Sequence, residues 1–393
     1  MSHHLTIKFL ASAGLFGAAL MATPARADEV LKLGVSVPLS GSGANWGKGN
    51  EVMCKRAAQE VKEAGGIKVK GTVYNIECLA YDNKYTAAEG TKVAQTLISR
   101  DGVKYMYVFG TPPLLAAQSI TERQGVLLFN ATWALQSKGP KFPLSFSVTA
   151  SQLEMMPAMF SFIASTHPQA KTVVVLNVND PSGRDAEKVQ REYWEKNGVK
   201  LLTSDYFERG TTEFQPIAVR LFAQKPDIVD LGTTPLADAG LVLKELETLG
   251  FKGVKVMTNG NSAEGLMATA GAAGNGVYMG GAVPFDGPSA TAHQRKVNDD
   301  VRAVIGESLG FANIAGYDVV YILKAAMEKA QSLEPKDLAA VMPSTKFRSF
   351  YGVETGWGRK DIYGSVQQAL LPIYITQVVG GKLVERARVM SKD

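Results

Sequence analysis

Short apolar segments alternate with amphipathic ones along most of this chain, and the alternation restricts the fold more than any other sequence feature. Residues 31–37, 72–81 and 105–109 have the apolar content of strands, whereas residues 47–64 and 86–100 carry apolar side chains at helical spacing. An order of strand, helix and strand is typical of parallel sheets with right-handed helical crossovers. We therefore predict the α/β fold class.

The alternation begins a second time after a junction near residues 147–151. Residues 172–178, Thr-Val-Val-Val-Leu-Asn-Val, form another apolar strand, and residues 183–197 and 237–249 have helical patterns. A chain of 393 residues is also long enough for about two domains of ordinary size. We predict two similar α/β halves, with a less regular tail that packs back against them.

The first 27 residues have the composition of a secretory signal. Lys8 precedes an apolar run at residues 9–21, and the small-residue sequence Ala-Arg-Ala follows at 25–27. The alternative is a membrane anchor, but this run of 13 residues is well short of the about 20 that span a bilayer as a helix. We predict cleavage after Ala27 and an exported mature protein of 366 residues that does not span the membrane.

Charge and cysteine content narrow the class of protein further. Loss of Lys8 and Arg26 with the signal lowers the net charge from +5 to +3, which is too mild for nucleic-acid binding by a clustered basic face. Cys54 falls in the first predicted helix and Cys78 in the next strand, and these two elements pack together in a βαβ unit. In an oxidising compartment we expect them to form a disulfide, and two buried free thiols are the alternative.

No catalytic, nucleotide-binding or metal-binding motif is complete in the sequence. The glycine-rich segment 38–49 fits neither G-x-G-x-x-G nor a P-loop, and residues 260–265 miss G-x-S-x-G by one residue. The mature chain keeps only His167 and His293, which lie far apart in the sequence and do not indicate a zinc site or histidine-based catalysis. We predict no enzyme activity, no metal and no cofactor.

Polar and aromatic side chains follow the predicted strands at their carboxyl ends, where parallel α/β sheets bind ligands. Hydroxyl, amide and indole groups suit the capture of a small molecule by hydrogen bonds between flat apolar faces. Each residue taken alone is also compatible with a helix cap or a turn. The candidate ligand-binding residues are Trp46, Thr111, Pro112, Thr132, Trp133, Ser182, Thr233 and Asn259.

Seven short segments, each a weak signal alone, occur in a specific order over essentially the whole mature chain. They are residues 35–41 (Val-Ser-Val-Pro-Leu-Ser-Gly), 63–67 (Glu-Ala-Gly-Gly-Ile), 81–83 (Tyr-Asp-Asn), 102–103 (Gly-Val), 125–128 (Gly-Val-Leu-Leu), 131–132 (Ala-Thr) and 315–318 (Ala-Gly-Tyr-Asp). In these segments the chain resembles the periplasmic solute-binding proteins of branched-chain amino-acid type ABC transporters, the type I group that includes leucine-binding protein.

The resemblance implies two Rossmann-like lobes with mainly parallel sheets, joined by three crossover strands and closing on a ligand. The first lobe would comprise residues 28–148 and 284–345, and the second lobe residues 149–283 and 346–393. It also implies a periplasmic monomer that binds a small molecule and delivers it to an ABC permease and ATPase complex. No cofactor is implied.

The resemblance also assigns roles to three site residues. Thr111 matches the hydroxyl residue that binds the ligand carboxylate, and Thr132 matches a second segment on the carboxylate side of the ligand. Trp46 matches an aromatic position that lines the site. We therefore expect the first lobe to contribute most of the binding energy and the second lobe mainly to close over the ligand.

The sequence departs from the family pattern in the second lobe. Ser182-Gly183 replaces a Tyr-Gly pair, a tyrosine expected near Thr233 is missing, and residues 259–261 lack the acid that pairs with a ligand ammonium. A buried ammonium without an anionic partner is costly. We expect a small carboxylate, more readily an aromatic acid than a branched-chain amino acid. Alternatives are a sensor that reports to a membrane signalling partner and, less favoured, an exported enzyme.

Overall fold

The computed structural model describes residues 1–3, 29–41 and 43–391. The predicted signal beyond residue 3 and its cleavage after Ala27 lie outside the described residues. In this part of the chain, no helix combines the length and apolar character needed to cross a membrane.

The strands are β1 (Glu29–Val37), β2 (Ile67–Val69), β3 (Thr72–Asp82), β4 (Tyr105–Phe109), β5 (Leu127–Ala131), β6 (Ser145–Ser147), β7 (Thr172–Val178), β8 (Lys200–Phe207), β9 (Ile228–Asp230), β10 (Val254–Met257), β11 (Tyr278–Gly280), β12 (Phe347–Arg348), β13 (Glu354–Thr355), β14 (Trp357–Gly358), β15 (Gln368–Ala369), β16 (Pro372–Val379) and β17 (Lys382–Met390). The α-helices are α1 (Ala44–Glu63), α2 (Ala87–Gln95), α3 (Thr111–Gln124), α4 (Gln152–Thr166), α5 (Pro181–Lys196), α6 (Gln215–Ala223), α7 (Leu236–Thr248), α8 (Ala263–Ala270), α9 (Ala292–Ile305), α10 (Phe311–Ala330), α11 (Pro335–Val341) and α12 (Lys360–Tyr363).

Two mainly parallel sheets form the centres of two lobes. The first sheet has the order β14-β15-β6-β5-β4-β1-β3-β2, and the second has the order β17-β16-β11-β10-β9-β7-β8. Within the first sheet β2 and β14 pair antiparallel, and within the second β16 and β17 do. The predicted α/β class with mainly parallel sheets is confirmed.

Helices cover both sheets, which explains why the central strands are apolar on both faces. All five residues of β4 are buried, and six of the seven residues of β7 are. The first lobe contains the first sheet with α1–α3 and α9–α11, and the second lobe contains the second sheet with α4–α8. Cys54 in α1 and Cys78 in β3 are joined in a disulfide with a Cα–Cα distance of 6.2 Å, which ties α1 to its sheet.

The chain passes between the lobes three times, at residues 148–151, 281–291 and 370–371. The third passage differs from the predicted lobe boundary at residue 346, because β14 and β15 belong to the first sheet and the second sheet takes up the chain only at Pro372. These two strands have two residues each, too short for the alternation of apolar and polar residues that identifies a strand in a sequence.

Candidate ligand-binding site

A small cavity of about 40 Å³ lies between the lobes, at the carboxyl ends of both sheets. It is lined by Trp46, Tyr85, Phe109, Thr111, Ala131, Thr132, Trp133 and Phe311 of the first lobe, by Thr149 of the first passage, and by Ser182, Arg209, Thr233 and Asn259 of the second lobe. Seven of the eight residues expected from the sequence are thus brought together. Pro112 does not line the cavity, because successive residues of α3 are turned by about 100° and Thr111 already faces it.

Three aromatic side chains form one wall of the cavity. The Trp46 ring lies 5.7 Å from that of Phe109 and 6.3 Å from that of Tyr85, measured between centroids. The residue after the tryptophan must be glycine, since a Cβ atom at Gly47 would lie 1.7 Å from the carbonyl oxygen of Pro38. This close approach of α1 to the loop after β1 places the indole against the cavity.

Tyr85 was not among the predicted site residues, although it follows β3 directly. Lys84 and Tyr85 both have left-handed backbone conformations, with φ of 47° and 59°. Such a conformation costs a non-glycine residue roughly 1–3 kcal/mol and is concentrated at functional sites. The Asn83 side chain stabilises it by accepting a hydrogen bond from the Tyr85 N–H at 2.9 Å and donating one to the Phe109 carbonyl at 3.0 Å. Burial raises the pKa of Tyr85, so its hydroxyl stays neutral.

Two hydroxyl groups of the first lobe face the cavity as a hydrogen-bonded pair. Thr111 Oγ1 and Thr132 Oγ1 lie 2.7 Å apart, and the Thr132 hydroxyl also accepts a hydrogen bond from the Ala134 N–H at 3.1 Å. The predicted positions of both threonines at adjacent strand ends account for their contact. The Trp133 indole N–H, in contrast, donates to the Ala150 carbonyl at 3.2 Å, so this residue offers the cavity its ring.

Arg209 is the one charged residue among those that line the cavity in the described chain. Its guanidinium donates from Nε and Nη2 to one carboxylate oxygen of Asp180, at 3.0 and 2.6 Å. Its central carbon also lies 3.9 Å from the ring centroid of Tyr85, a contact that joins the lobes. Burial alone would lower the pKa of Arg209, but Tyr85 and Asp180 outweigh it and the pKa is raised. The side chain therefore remains cationic.

The sequence prediction missed Arg209 because it considered the ends of other second-lobe strands and not the end of β8. That strand lies at the edge of its sheet and is half-buried over much of its length, which weakens its apolar pattern. The rule that ligands bind at carboxyl ends of parallel strands applies to β8 equally and would have identified residues 208–210.

Other polar groups of the second lobe are already engaged. The Ser182 hydroxyl donates to Asp180. The Thr233 hydroxyl donates to the Asn177 side chain and accepts from the Val178 N–H, both at 3.2 Å. Asn259 is half-buried, and its side chain makes no hydrogen bond to another described residue, so its amide is available to a ligand.

No acidic side chain is among the residues that line the cavity in the described chain. The nearby Asp180 is bonded to Arg209, and Asp238 of α7, whose charge also acts on Arg209, is not a lining residue. Burial raises the pKa of Asp238 to about 6. Within the described residues, no cluster of three or more histidine, cysteine or acidic side chains is placed to hold a metal ion.

Comparison with known proteins identifies the family. A family model described as periplasmic binding protein matches residues 30–382. A leucine-, isoleucine-, valine-, threonine- and alanine-binding protein of Pseudomonas aeruginosa is 22% identical over 333 residues, covering 82% of this chain and 84% of that protein. A Leu/Ile/Val-binding protein homologue of Brucella melitensis is 22% identical over 345 residues, covering 86% and 88%.

Solved structures show the same fold. A leucine-binding protein of Thermotoga maritima superposes with a TM-score of 0.78 at 18% identity, covering 91% of this chain and 98% of that one. A solute-binding protein of R. palustris, solved in complex with benzoate, gives a TM-score of 0.76 at 17% identity, covering 91% and 96%. The chain belongs to the periplasmic binding protein family, whose members bind substrates and are not enzymes.

Proposed function

We propose that this protein is the periplasmic substrate-binding component of an ABC importer and that it captures a small organic carboxylate between its lobes. The observation that carries the ligand class is the charge of the cavity lining, which includes one cation, Arg209, and no acidic side chain among the described residues. An anion is favoured in such a site, whereas the ammonium group of an amino acid would be desolvated without a partner.

The shape of the lining favours an aromatic acid over an aliphatic one. Trp46, Tyr85 and Phe109 provide adjacent ring faces, and Phe311 contributes a fourth ring from the start of α10. Aromatic pairs contribute about 0.5–1.5 kcal/mol beyond their buried area. Among proteins of the same fold, three from Rhodopseudomonas palustris were solved with benzoate, 3,4-dihydroxybenzoic acid and 4-hydroxybenzoate, while one from Streptococcus pneumoniae was solved with isoleucine.

The small volume of the cavity indicates how the ligand enters. A space of about 40 Å³ corresponds to roughly three water positions, less than a benzoate ion occupies. The lobes therefore separate for ligand entry, by rotation about the three passages at residues 148–151, 281–291 and 370–371, and close on the bound ligand around a cavity larger than the present one. In this proposal the closed, monomeric form then docks on the permease of a permease and ATPase complex, after export and cleavage following Ala27.

A thermal-shift screen tests the ligand class. One panel contains benzoate, 4-hydroxybenzoate, 3,4-dihydroxybenzoate and aliphatic carboxylates, and the other contains leucine, isoleucine and valine. A ligand present at 100 times its dissociation constant stabilises the folded state by about 2.7 kcal/mol. We expect stabilisation by a member of the first panel and little or none by the second. Stabilisation by leucine alone would contradict the proposal.

The transport role needs a separate measurement. Uptake of the identified ligand is compared in cells with and without the gene, and in cells that carry it on a plasmid. We expect uptake to be lost on deletion and restored by the plasmid. Undiminished uptake, together with loss of a transcriptional or chemotactic response to the ligand, would favour the sensor function.

A further inference from the structure

The first lobe supplies few hydrogen-bond donors to an anion, although its helix α3 begins at the cavity. The Thr111 N–H lies near the Tyr85 hydroxyl, and Pro112 and Pro113 have no N–H group. The Leu114 N–H is bonded to the Gly110 carbonyl at 3.1 Å. In this described turn, the backbone donors that usually make a helix N-terminus an anion site are therefore absent or already used, except for the Thr111 N–H beside the Tyr85 hydroxyl.

Only one of the two hydroxyl protons of the Thr111–Thr132 pair can be donated to a ligand. A hydroxyl group has one proton to donate. Either the Thr111 or the Thr132 hydroxyl donates its proton to the other, over an oxygen–oxygen distance of 2.7 Å. The Thr132 oxygen also accepts from the Ala134 N–H. The pair therefore contributes one donor to a ligand, which is too little to bind both oxygens of a carboxylate.

Arg209 of the second lobe has both the charge and the donors that the first lobe lacks. A guanidinium carries five N–H donors, of which Asp180 accepts one from Nε and one from Nη2, so at most three remain, one of them near the Tyr85 hydroxyl. The other oxygen of Asp180 accepts the N–H groups of Ser182 and Gly183 at 2.9 and 3.1 Å and so caps α5. Because the helix fixes Asp180, Asp180 in turn fixes the plane of the guanidinium at the cavity.

We infer that Arg209 is the residue that receives the ligand carboxylate and sets the preference for acids over neutral ligands. This inference rests on the proposed function, since it presupposes a carboxylate ligand. Binding of the ligand carboxylate, which the sequence assigned to Thr111 of the first lobe, is thereby assigned to the second lobe. The Thr111–Thr132 pair then contributes one neutral hydrogen-bond donor. A carboxylate shared between Arg209 and that donor bridges the two lobes, so binding of the acid group and closure occur together.

Titration calorimetry of four variants tests the inference, with benzoate and benzamide as the matched acid and amide probes. If 4-hydroxybenzoate binds better than benzoate, it replaces benzoate, and 4-hydroxybenzamide replaces benzamide. Arg209→Gln should weaken benzoate binding at least 30-fold and bring its affinity to within threefold of that for benzamide. Thr111→Val should weaken both probes by tenfold or less and keep the preference for the acid. Arg184→Gln is the matched control, because Arg184 also lies over a tyrosine ring, Tyr206 at 5.0 Å, but outside the cavity.

The double variant Asp180→Asn/Arg209→Gln guards against misfolding. It removes the guanidinium without leaving an unpaired buried carboxylate, and asparagine still caps α5 through its side-chain oxygen. We expect it to lose the acid preference as Arg209→Gln does. Unchanged preference in both Arg209 variants, or loss of preference in Thr111→Val alone, would overturn the inference while leaving the proposed function standing. If no carboxylate binds the wild-type protein, the proposed function itself fails.

Discussion

Asp318 provides a prediction about stability that can be worked out from its surroundings. It lies in α10 and is 1% exposed. Its carboxylate accepts hydrogen bonds from the Ser349 hydroxyl at 2.5 Å and the Phe350 N–H at 2.8 Å. Burial outweighs these bonds and raises the pKa of Asp318 to about 7, whereas an aspartate in an unfolded chain has a pKa of about 3.9.

The direction of the pH dependence follows from these two pKa values. Between about pH 4 and pH 7 the folded protein holds a proton on Asp318 that the unfolded chain has released, so the free energy of unfolding falls as the pH rises through this window. A difference of about three pKa units corresponds to roughly 4 kcal/mol, lost in full above pH 7. About 3 kcal/mol of this should return when the pH is lowered from 8 to 5.

Asp318→Asn removes the ionisable group but keeps an oxygen to accept the Phe350 N–H. We expect the free energy of unfolding of the wild type to rise by about 3 kcal/mol more than that of the variant between pH 8 and pH 5. Urea unfolding followed by circular dichroism at several pH values measures both. Asp361→Asn, at a side chain 65% exposed, is the control and should follow the wild type. Parallel curves for wild type and Asp318→Asn would show that the reasoning is wrong.

Two further predictions concern the cavity and the disulfide. Trp46→Ala should weaken binding of the identified carboxylate at least tenfold, about 1.4 kcal/mol, because a ring face is lost. Ser182→Ala should weaken binding less, because the Ser182 hydroxyl is already bonded to Asp180. Calorimetry that shows the reverse order would refute the assignment. The unreduced protein should weigh about 2 Da less than the reduced one. The double variant Cys54→Ser/Cys78→Ser should lose roughly 3 kcal/mol of stability, because the disulfide closes a sequence separation of 24 residues. Two titratable thiols in the unreduced, denatured wild type would contradict the disulfide.

Four of the eight first-lobe residues that line the cavity were candidates from the sequence, because local signals coincide at them. Thr132 follows an apolar strand directly, and Trp46 follows a glycine-rich loop, so the rule about strand ends was sufficient. Pro112 lies outside the cavity lining because successive helix residues point about 100° apart, a difference that the rule about strand ends does not resolve.

The features that the sequence did not predict depend on tertiary contacts. Tyr85 faces Arg209 only because the lobes meet, and no local pattern describes a contact between residues that follow strands of different sheets. The hydrogen bond between Thr111 and Thr132, which leaves this pair one donor for a ligand, likewise depends on the folded structure. Sequence patterns indicate where such a site lies, and the hydrogen bonds that its side chains already make determine which ligand groups it can bind.

Polar contacts join the lobes beside the cavity, and they make closure responsive to the ligand. The Arg209 guanidinium lies over the Tyr85 ring, and the Ser262 hydroxyl of the second lobe donates to the Glu307 carboxylate of the first. Water replaces such contacts when the lobes separate, so each contributes only about 0.5–2 kcal/mol net. A shift from 1% to 99% closed requires about 5.5 kcal/mol of differential affinity. A carboxylate that bonds Arg209 and the threonine pair at once makes those bonds only in the closed form, and it therefore supplies the free energy that closure needs.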